Sequence, residues 1–365
     1  MPTTGPSAEE VISASPPGSE PLIQLVDVNG DVARRLGRQR GLRLFSEVLG
    51  QAKPRDLPVG PGDTVEVTIW ESPPATLFGG SSIDPRIGVV TARPAALPEQ
   101  TVDTEGKITV PFAGRIQAAG KTTQVIATEI VSRLQGKANQ PEVIVRVTRN
   151  ASSTVTVVGE VATSIRMPLS AGGERLLDAL AAAGGVRQPV AKTTIQVTRG
   201  QSFHALPLDS VIQDPRQNVP LHPGDVVTAI FQPLSFTALG ATGKNDEISF
   251  EAQGISLAQA LARVGGLVDT RSDAQGVFIF RFEDAAALDW PRQPVSKTPE
   301  GKVAVVYRVD LRNPQSFFVM QSFGINHRDI LYVSNAPLAE TQKFLNLVFS
   351  VAFPVLNTID LFRGN

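Results

Sequence analysis

The chain has 365 residues, enough for two or three domains, and it carries 34 Lys+Arg against 35 Asp+Glu for a net charge of -1. That balance gives no footprint for nucleic acid or for an anionic membrane surface. The absence of cysteine excludes disulfides, thiolate metal sites and a cysteine nucleophile, while 31 Gly and 28 Pro favour many short strands joined by tight turns.

Met1 to Glu20 lacks the basic start and apolar centre of a signal peptide, and its Pro, Ser, Thr and Gly read as a flexible leader. If the protein is exported, this sequence is expected to be a processed form. Residues 1–57 are grouped as leader and N-terminal segment.

A small α+β unit is expected over 58–150. Val65, Val67 and Ile69 alternate as a strand, and Val102 to Val110 reads as a hairpin around Glu105-Gly106. Ile126, Ile130 and Leu134 fall at helical spacing within Thr123 to Leu134, and Val143, Val145 and Val147 alternate again. Trp70 opens a long Pro- and Gly-rich excursion to Gln100, the kind of loop that carries function or disorder. On the plain reading Trp70 packs at a strand end.

Two copies of one module follow, over 151–233 and 234–336. Adding 81 maps Gly159 to Gly240, Leu176 to Leu257, Leu180 to Leu261, Gly184 to Gly265 and Gly185 to Gly266 without a gap. Each copy reads as a strand ending in Gly, a second short strand, and a helix stopped by Gly-Gly, with Ser256 as N-cap in the second.

A turn element recurs three times. It is Val59-Gly60-Pro61-Gly62-Asp63, then Leu221-His222-Pro223-Gly224-Asp225, then Ile325-Asn326-His327-Arg328-Asp329, each before a strand. Asp63, Asp225 and Asp329 read as turn residues bonding their own backbone rather than as catalysts.

Residues 337–365 hold an amphipathic helix with reversed proportions. At about 100° per residue, Gln342, Asn346, Ser350, Asn357 and Asp360 share a stripe about 80° wide. Phe344, Leu345, Val348, Val351, Val355, Leu356 and Ile359 lie in the broad apolar arc. Phe344 to Phe362 would span about 28 Å, close to a hydrocarbon core. Several copies could enclose water with their stripes and face lipid with their arcs, although Phe353 interrupts the stripe and Pro354 should kink the helix. The alternative is a terminal helix buried at a subunit or domain interface.

Enzymatic ingredients are thin. His204, His222 and His327 are far apart with no metal spacing, Asp103 and Glu105 sit beside a turn, and the glycine pairs lack the Lys-Ser/Thr of a phosphate loop. No catalytic, metal or cofactor-binding residue is assigned.

Val59-Gly60-Pro61-Gly62-Asp63 with Val67-Thr68-Ile69-Trp70, Asp103-Thr104-Glu105-Gly106-Lys107, Val110-Pro111-Phe112-Ala113-Gly114 and Pro141-Glu142-Val143 resemble the polysaccharide-export domain of Wza-type outer-membrane exporters. Val157-Val158-Gly159-Glu160-Val161 and Ala183-Gly184-Gly185 resemble the β-grasp repeats, called SLBB domains, of that family. The segment Asp329 to Leu338 is similar to the one that enters its membrane helix.

The resemblance implies a ring-shaped homo-oligomer, an octamer in the best known relatives, with periplasmic rings and an α-helical barrel through the outer membrane. It further implies an inner-membrane co-polymerase as partner, with Trp70 and the loop after it as candidate contacts, and a capsular polysaccharide or exopolysaccharide as the substrate moved. The helix stripe would be pore-lining and the apolar arc lipid-facing. Relatives typically begin with a lipidated cysteine, which this sequence lacks. The competing reading is a soluble periplasmic glycan- or partner-binding module without a pore.

Overall fold

The computed structural model describes residues 23–39, 43–52, 57–72, 77–78, 94–231, 233–269, 272–291, 293 and 295–335. These divide into two compact units, residues 43–231 and a second formed by residues before 43 and after 231. The terminal helix expected over 337–365 lies outside the described residues.

In chain order, β1 (Gln24–Asp27), α1 (Gly30–Gln39) and α2 (Phe45–Val48) come first. The sequence reading gave this stretch no element, because a four-residue strand, a ten-residue helix with only Val32, Ala33 and Leu36 apolar, and a single helical turn leave little periodicity to stand out.

The first small α+β domain holds β2 (Thr64–Trp70), β3 (Ala95–Ala96), β4 (Gln100–Thr101), β5 (Lys107–Val110), β6 (Gly114–Gln117), α3 (Thr123–Leu134) and β7 (Glu142–Arg149). β2 is the centre of its sheet, pairing antiparallel with β3, β4 and β7. Val65, Val67 and Ile69 point into a core shared with Ile126, Ile130 and Leu134 of α3. Thr122 caps that helix, its side chain accepting from Val125 N–H. The hairpin is displaced from its expected place. β5 pairs with β6 across Pro111–Ala113, while Asp103 to Gly106 forms a turn closed by Lys107 N–H on the Asp103 carboxylate. A side chain that accepts the turn's own N–H made Asp103 a stop rather than a strand residue.

The first repeat contains β8 (Thr154–Gly159), β9 (Ile165–Pro168), α4 (Leu176–Ala182), β10 (Thr193–Arg199), β11 (Ser202–Pro207), α5 (Leu208–Gln213) and β12 (Val226–Phe231). Its sheet order is β11-β10-β12-β8-β9. Phe45 of α2 is fully buried in the core of this repeat.

The second repeat contains β13 (Leu234–Gly240), β14 (Asp246–Phe250), β15 (Ile255–Ser256), α6 (Leu257–Arg263), β16 (Ser272–Asp284), β17 (Lys302–Val309), α7 (Pro314–Ser322), β18 (Gly324–Ile325) and β19 (Ile330–Asn335). Its sheet order is β1-β17-β16-β19-β13-β14, the order of the first repeat with β1 added parallel to β17 at one edge. The Ser256 cap is present as a capping box with Gln259.

The duplication extends to single atoms. Gly159 and Gly240 both have φ +93°, and a Cβ at either would lie 2.1 Å from the carbonyl oxygen of the partner strand, Ala229 or Val333. That carbonyl instead accepts the next N–H, from Glu160 or Ala241, at 2.8 Å. Only glycine lets the two paired strands approach this closely. Gly159→Ala should therefore cost about 3 kcal/mol through strain and overpacking. Gly200→Ala, where φ is +60° and nothing lies within 4 Å, should cost about 1 kcal/mol. Thermal unfolding of both variants checks the contrast.

The three turn elements share one device. The carboxylate of Asp63 accepts Gly60 N–H, that of Asp225 accepts His222 N–H, and that of Asp329 accepts Asn326 N–H, at 2.7–2.8 Å, and all three aspartates are buried. In the repeats the remaining acceptor capacity takes a two-pronged arginine, Arg199 on Asp225 and Arg281 on Asp329. Burial works against the Arg281 charge, but Asp329 and Glu283 outweigh it and raise its pKa above the ordinary value. The guanidinium also lies over the rings of Tyr307 and Phe323, at 5.5 and 5.2 Å. Asp63 has a different second partner, described below.

The residue before the aspartate sits at positive φ in every copy: Gly62 at +89°, Gly224 at +86° and Arg328 at +68°. Arg328 is exposed and has no glycine's freedom, so Arg328→Gly should stabilise the second repeat by about 0.5–1 kcal/mol. An unchanged or lowered unfolding midpoint would contradict the strain.

Candidate functional site

β2 alternates, so Ile69 enters the core and the next residue, Trp70, faces outward at the strand end, half-buried. It lines an open hollow with Val131, Pro141, Glu142, Val143 and Ile144. Glu142 is its register partner on β7. Both readings of Trp70 from sequence meet here, since it packs at a strand end and also borders accessible space. Ile144, 51% exposed, and Val147 add apolar surface along β7.

The neighbouring residue, Glu71, has a role that sequence reasoning missed. Its side chain is buried, and its carboxylate accepts N–H groups from Leu77, Phe78 and Asn139, each at 3.0 Å. Ser72 N–H donates to Asn139 O, and Asn139 Nδ2 donates back to Ser72 O. Phe78 then meets Phe112 edge to face, with ring centroids 5.6 Å apart. The first described residues after Trp70 are thus held by a carboxylate latch, and on the far side of the loop Ala95 and Ala96 of β3 pair with Ile69 and Thr68. An acid two residues before a Pro-Pro pair was the available sequence signal, but nothing in the sequence marks Glu71 as buried.

Asp63 closes its turn and also holds the start of the first repeat. Its Oδ1 accepts N–H from Ala151 and Ser152 at 2.8 Å, and Ser152 Oγ donates to its Oδ2 at 2.8 Å. The linker after β7 is therefore hydrogen-bonded to the first turn of the preceding domain.

Asp103 and Glu105 sit in a solvent-facing charge cluster with Arg115 and Lys107. The backbone N–H of Lys107, then Arg115, hold the Asp103 carboxyl below its usual range. His204 lies on β11, His222 Nε2 is 3.2 Å from Ala52 O, and His327 Nδ1 accepts Ser235 N–H. The three histidines are not brought together. Among the described residues no group of three His, Cys, Asp or Glu could hold a metal ion, and no helix is long and apolar enough to cross a membrane.

Gln342, Asn346, Ser350, Asn357 and Asp360, with the apolar positions Phe344, Leu345, Val348, Val351, Val355, Leu356 and Ile359, lie outside the described residues.

The sheet order, the duplicated glycine contacts and the carboxylate turns define a small α+β domain followed by two copies of one α+β module. The family described as polysaccharide biosynthesis/export protein matches residues 51–148, and the SLBB domain matches 153–228 and 235–333. Capsule polysaccharide export outer membrane protein CtrA of Neisseria meningitidis serogroup A is 42% identical, over 99% of this chain and 94% of that protein. Capsule polysaccharide export protein BexD of Haemophilus influenzae is 41% identical over 100% of this chain and 94% of its own length. Vi polysaccharide export protein VexA/TviF of Salmonella typhi is 29% identical over 77% and 75%. The chain belongs to the polysaccharide biosynthesis/export family.

Glu71→Gln places an amide N–H where the carboxylate met backbone donors, costing about 1–3 kcal/mol locally. Limited proteolysis between residues 73 and 93 should accelerate several-fold while global unfolding barely moves. Unchanged cleavage would show that Glu71 does not hold the excursion.

Proposed function

We propose that this protein exports capsular polysaccharide or exopolysaccharide across the outer membrane as a homo-oligomeric ring, with the terminal helices together forming the passage. The observation that carries the reading is the 42% identity, over 99% of the chain, to a capsule polysaccharide export outer membrane protein. The polar stripe of residues 337–365 supports it independently, because a helix that is apolar on most sides and polar on one suits lipid outside and water inside.

In this reading Gln342, Asn346, Ser350, Asn357 and Asp360 line the lumen, and Phe344, Leu345, Val348, Val351, Val355, Leu356 and Ile359 face lipid. Uncharged and weakly anionic contacts suit a hydrated glycan that must slide rather than bind. The export-type domain and the repeats lie in the periplasm, and the repeats supply most of the ring contacts because polar-striped helices gain little from association in lipid. Trp70 and the excursion behind it face an inner-membrane co-polymerase. The chemistry is conduction, with no bond made or broken.

The test is a cysteine scan, made clean by the absence of native cysteine. Asn346→Cys, Ser350→Cys and Asn357→Cys should react with a small hydrophilic thiol reagent, whereas Leu345→Cys, Val348→Cys and Leu356→Cys should be protected. A bulky adduct at position 350 should reduce surface polysaccharide with the oligomer intact. Equal labelling on both faces, with export unimpaired, would favour a periplasmic binding module without a pore.

A further inference from the structure

The second repeat presents an uncharged aromatic surface. α7 reads Pro-Gln-Ser-Phe-Phe-Val-Met-Gln-Ser, with no charged residue, and Met320 faces the core while Phe317 and Phe318 are 53% and 76% exposed. A solvent-facing helix ordinarily carries charge on its outer side.

The helix beside it has the complementary character. β1 and β17 are parallel neighbours, Asp27 opposite Arg308, and each is followed within a few residues by a helix. α1 and α7 therefore start at the same end of the sheet, and they pack against each other. Ala33 and Leu36 of α1 are buried, whereas Arg34, Arg35 and Arg38 are exposed. Arg34 pairs with Asp31 of the same helix and Arg35 with Asp289, so these three arginines and two aspartates leave a surplus of one positive charge on this face.

That end of the sheet is also where the chain departs toward its terminal segment. Val309 ends β17 opposite Val277, Val277 pairs with Val333, and Asn335 ends β19 opposite Ser272. Phe317 and Phe318, in the second turn of α7, thus lie toward the end from which residues 336–365 continue.

We infer that Phe317 and Phe318, flanked by Arg34, Arg35 and Arg38, form a membrane-interface patch that seats the second repeat on the periplasmic leaflet of the outer membrane. This rests on the proposal that residues 337–365 enter that membrane. The chemistry is that of an interfacial helix pair, aromatic rings at the headgroup–acyl boundary and guanidinium groups at lipid phosphates. Such seating fixes the height of the module against the bilayer, so that the terminal helix starts at the interface.

The full chain, carrying a nitroxide on Phe318→Cys or on Leu356→Cys, is assembled in phosphatidylethanolamine–phosphatidylglycerol vesicles, and collisions with oxygen and with a water-soluble nickel chelate are measured. Position 318 lies outside the core, so the substitution leaves folding intact. The expected result is an oxygen-to-chelate ratio at position 318 several-fold above that of a water-exposed label. A label at 318 that meets mainly the chelate, with the one at 356 in lipid, overturns the patch and leaves the membrane helix standing. So does a label at 318 shielded from both reagents, which would mean cover by protein. A label at 356 exposed to water overturns the membrane helix and the patch with it.

Discussion

One interaction recurs wherever this chain turns into a strand that organises a module: a buried aspartate carboxylate accepting the N–H three residues earlier. Asp63 precedes β2, Asp225 precedes β12, and Asp329 precedes β19. A carboxylate withdrawn from water is costly unless every lone pair is used. In the repeats a two-pronged arginine completes it, and at Asp63 the backbone of Ala151 and Ser152 does so. Removing either member of the Arg281–Asp329 pair would leave a buried charge alone, a loss of about 3–5 kcal/mol. The same economy sets different outcomes. Two copies brace a module from within, and one ties a domain to the next.

The duplicated fold shows how a common sheet is fitted to different duties. Each repeat brings two parallel strands close at a glycine and stops a helix at Gly-Gly, but only the second is widened by β1. That strand comes from the far end of the sequence, so the second repeat is completed by residues more than 200 positions away from its own. Pairing along β17 also protects an edge that would otherwise present free backbone groups.

Much of this was legible in the sequence. The offset of 81 residues, the Ser256 cap, the helix Thr123–Leu134 and the three turn elements all correspond to structure, because each has a local cause in a cap, a period or a positive φ. What was not legible depends on distant partners. β1 has only four residues and makes sense only beside β17, and the β5–β6 hairpin was misplaced because Asp103 spends its side chain on a turn. α7 was missed since Phe317 and Phe318 break the pattern of a helix that turns only polar residues to water. Of the candidate site, Trp70 was named from the family resemblance together with its place at the loop, whereas Glu71 was not, since burial of a carboxylate cannot be read from its neighbours in sequence.

The proposed passage depends on residues 337–365, whose polar stripe makes sense only in company. The central claim is tested most directly by imaging the full chain in lipid nanodiscs with electron microscopy. The account predicts a closed ring of subunits whose export-type domains and repeats lie on one side of the bilayer, with helices from residues 337–365 surrounding a continuous lumen through it. A ring without helical density across the bilayer, or single subunits lying at its surface, would contradict it.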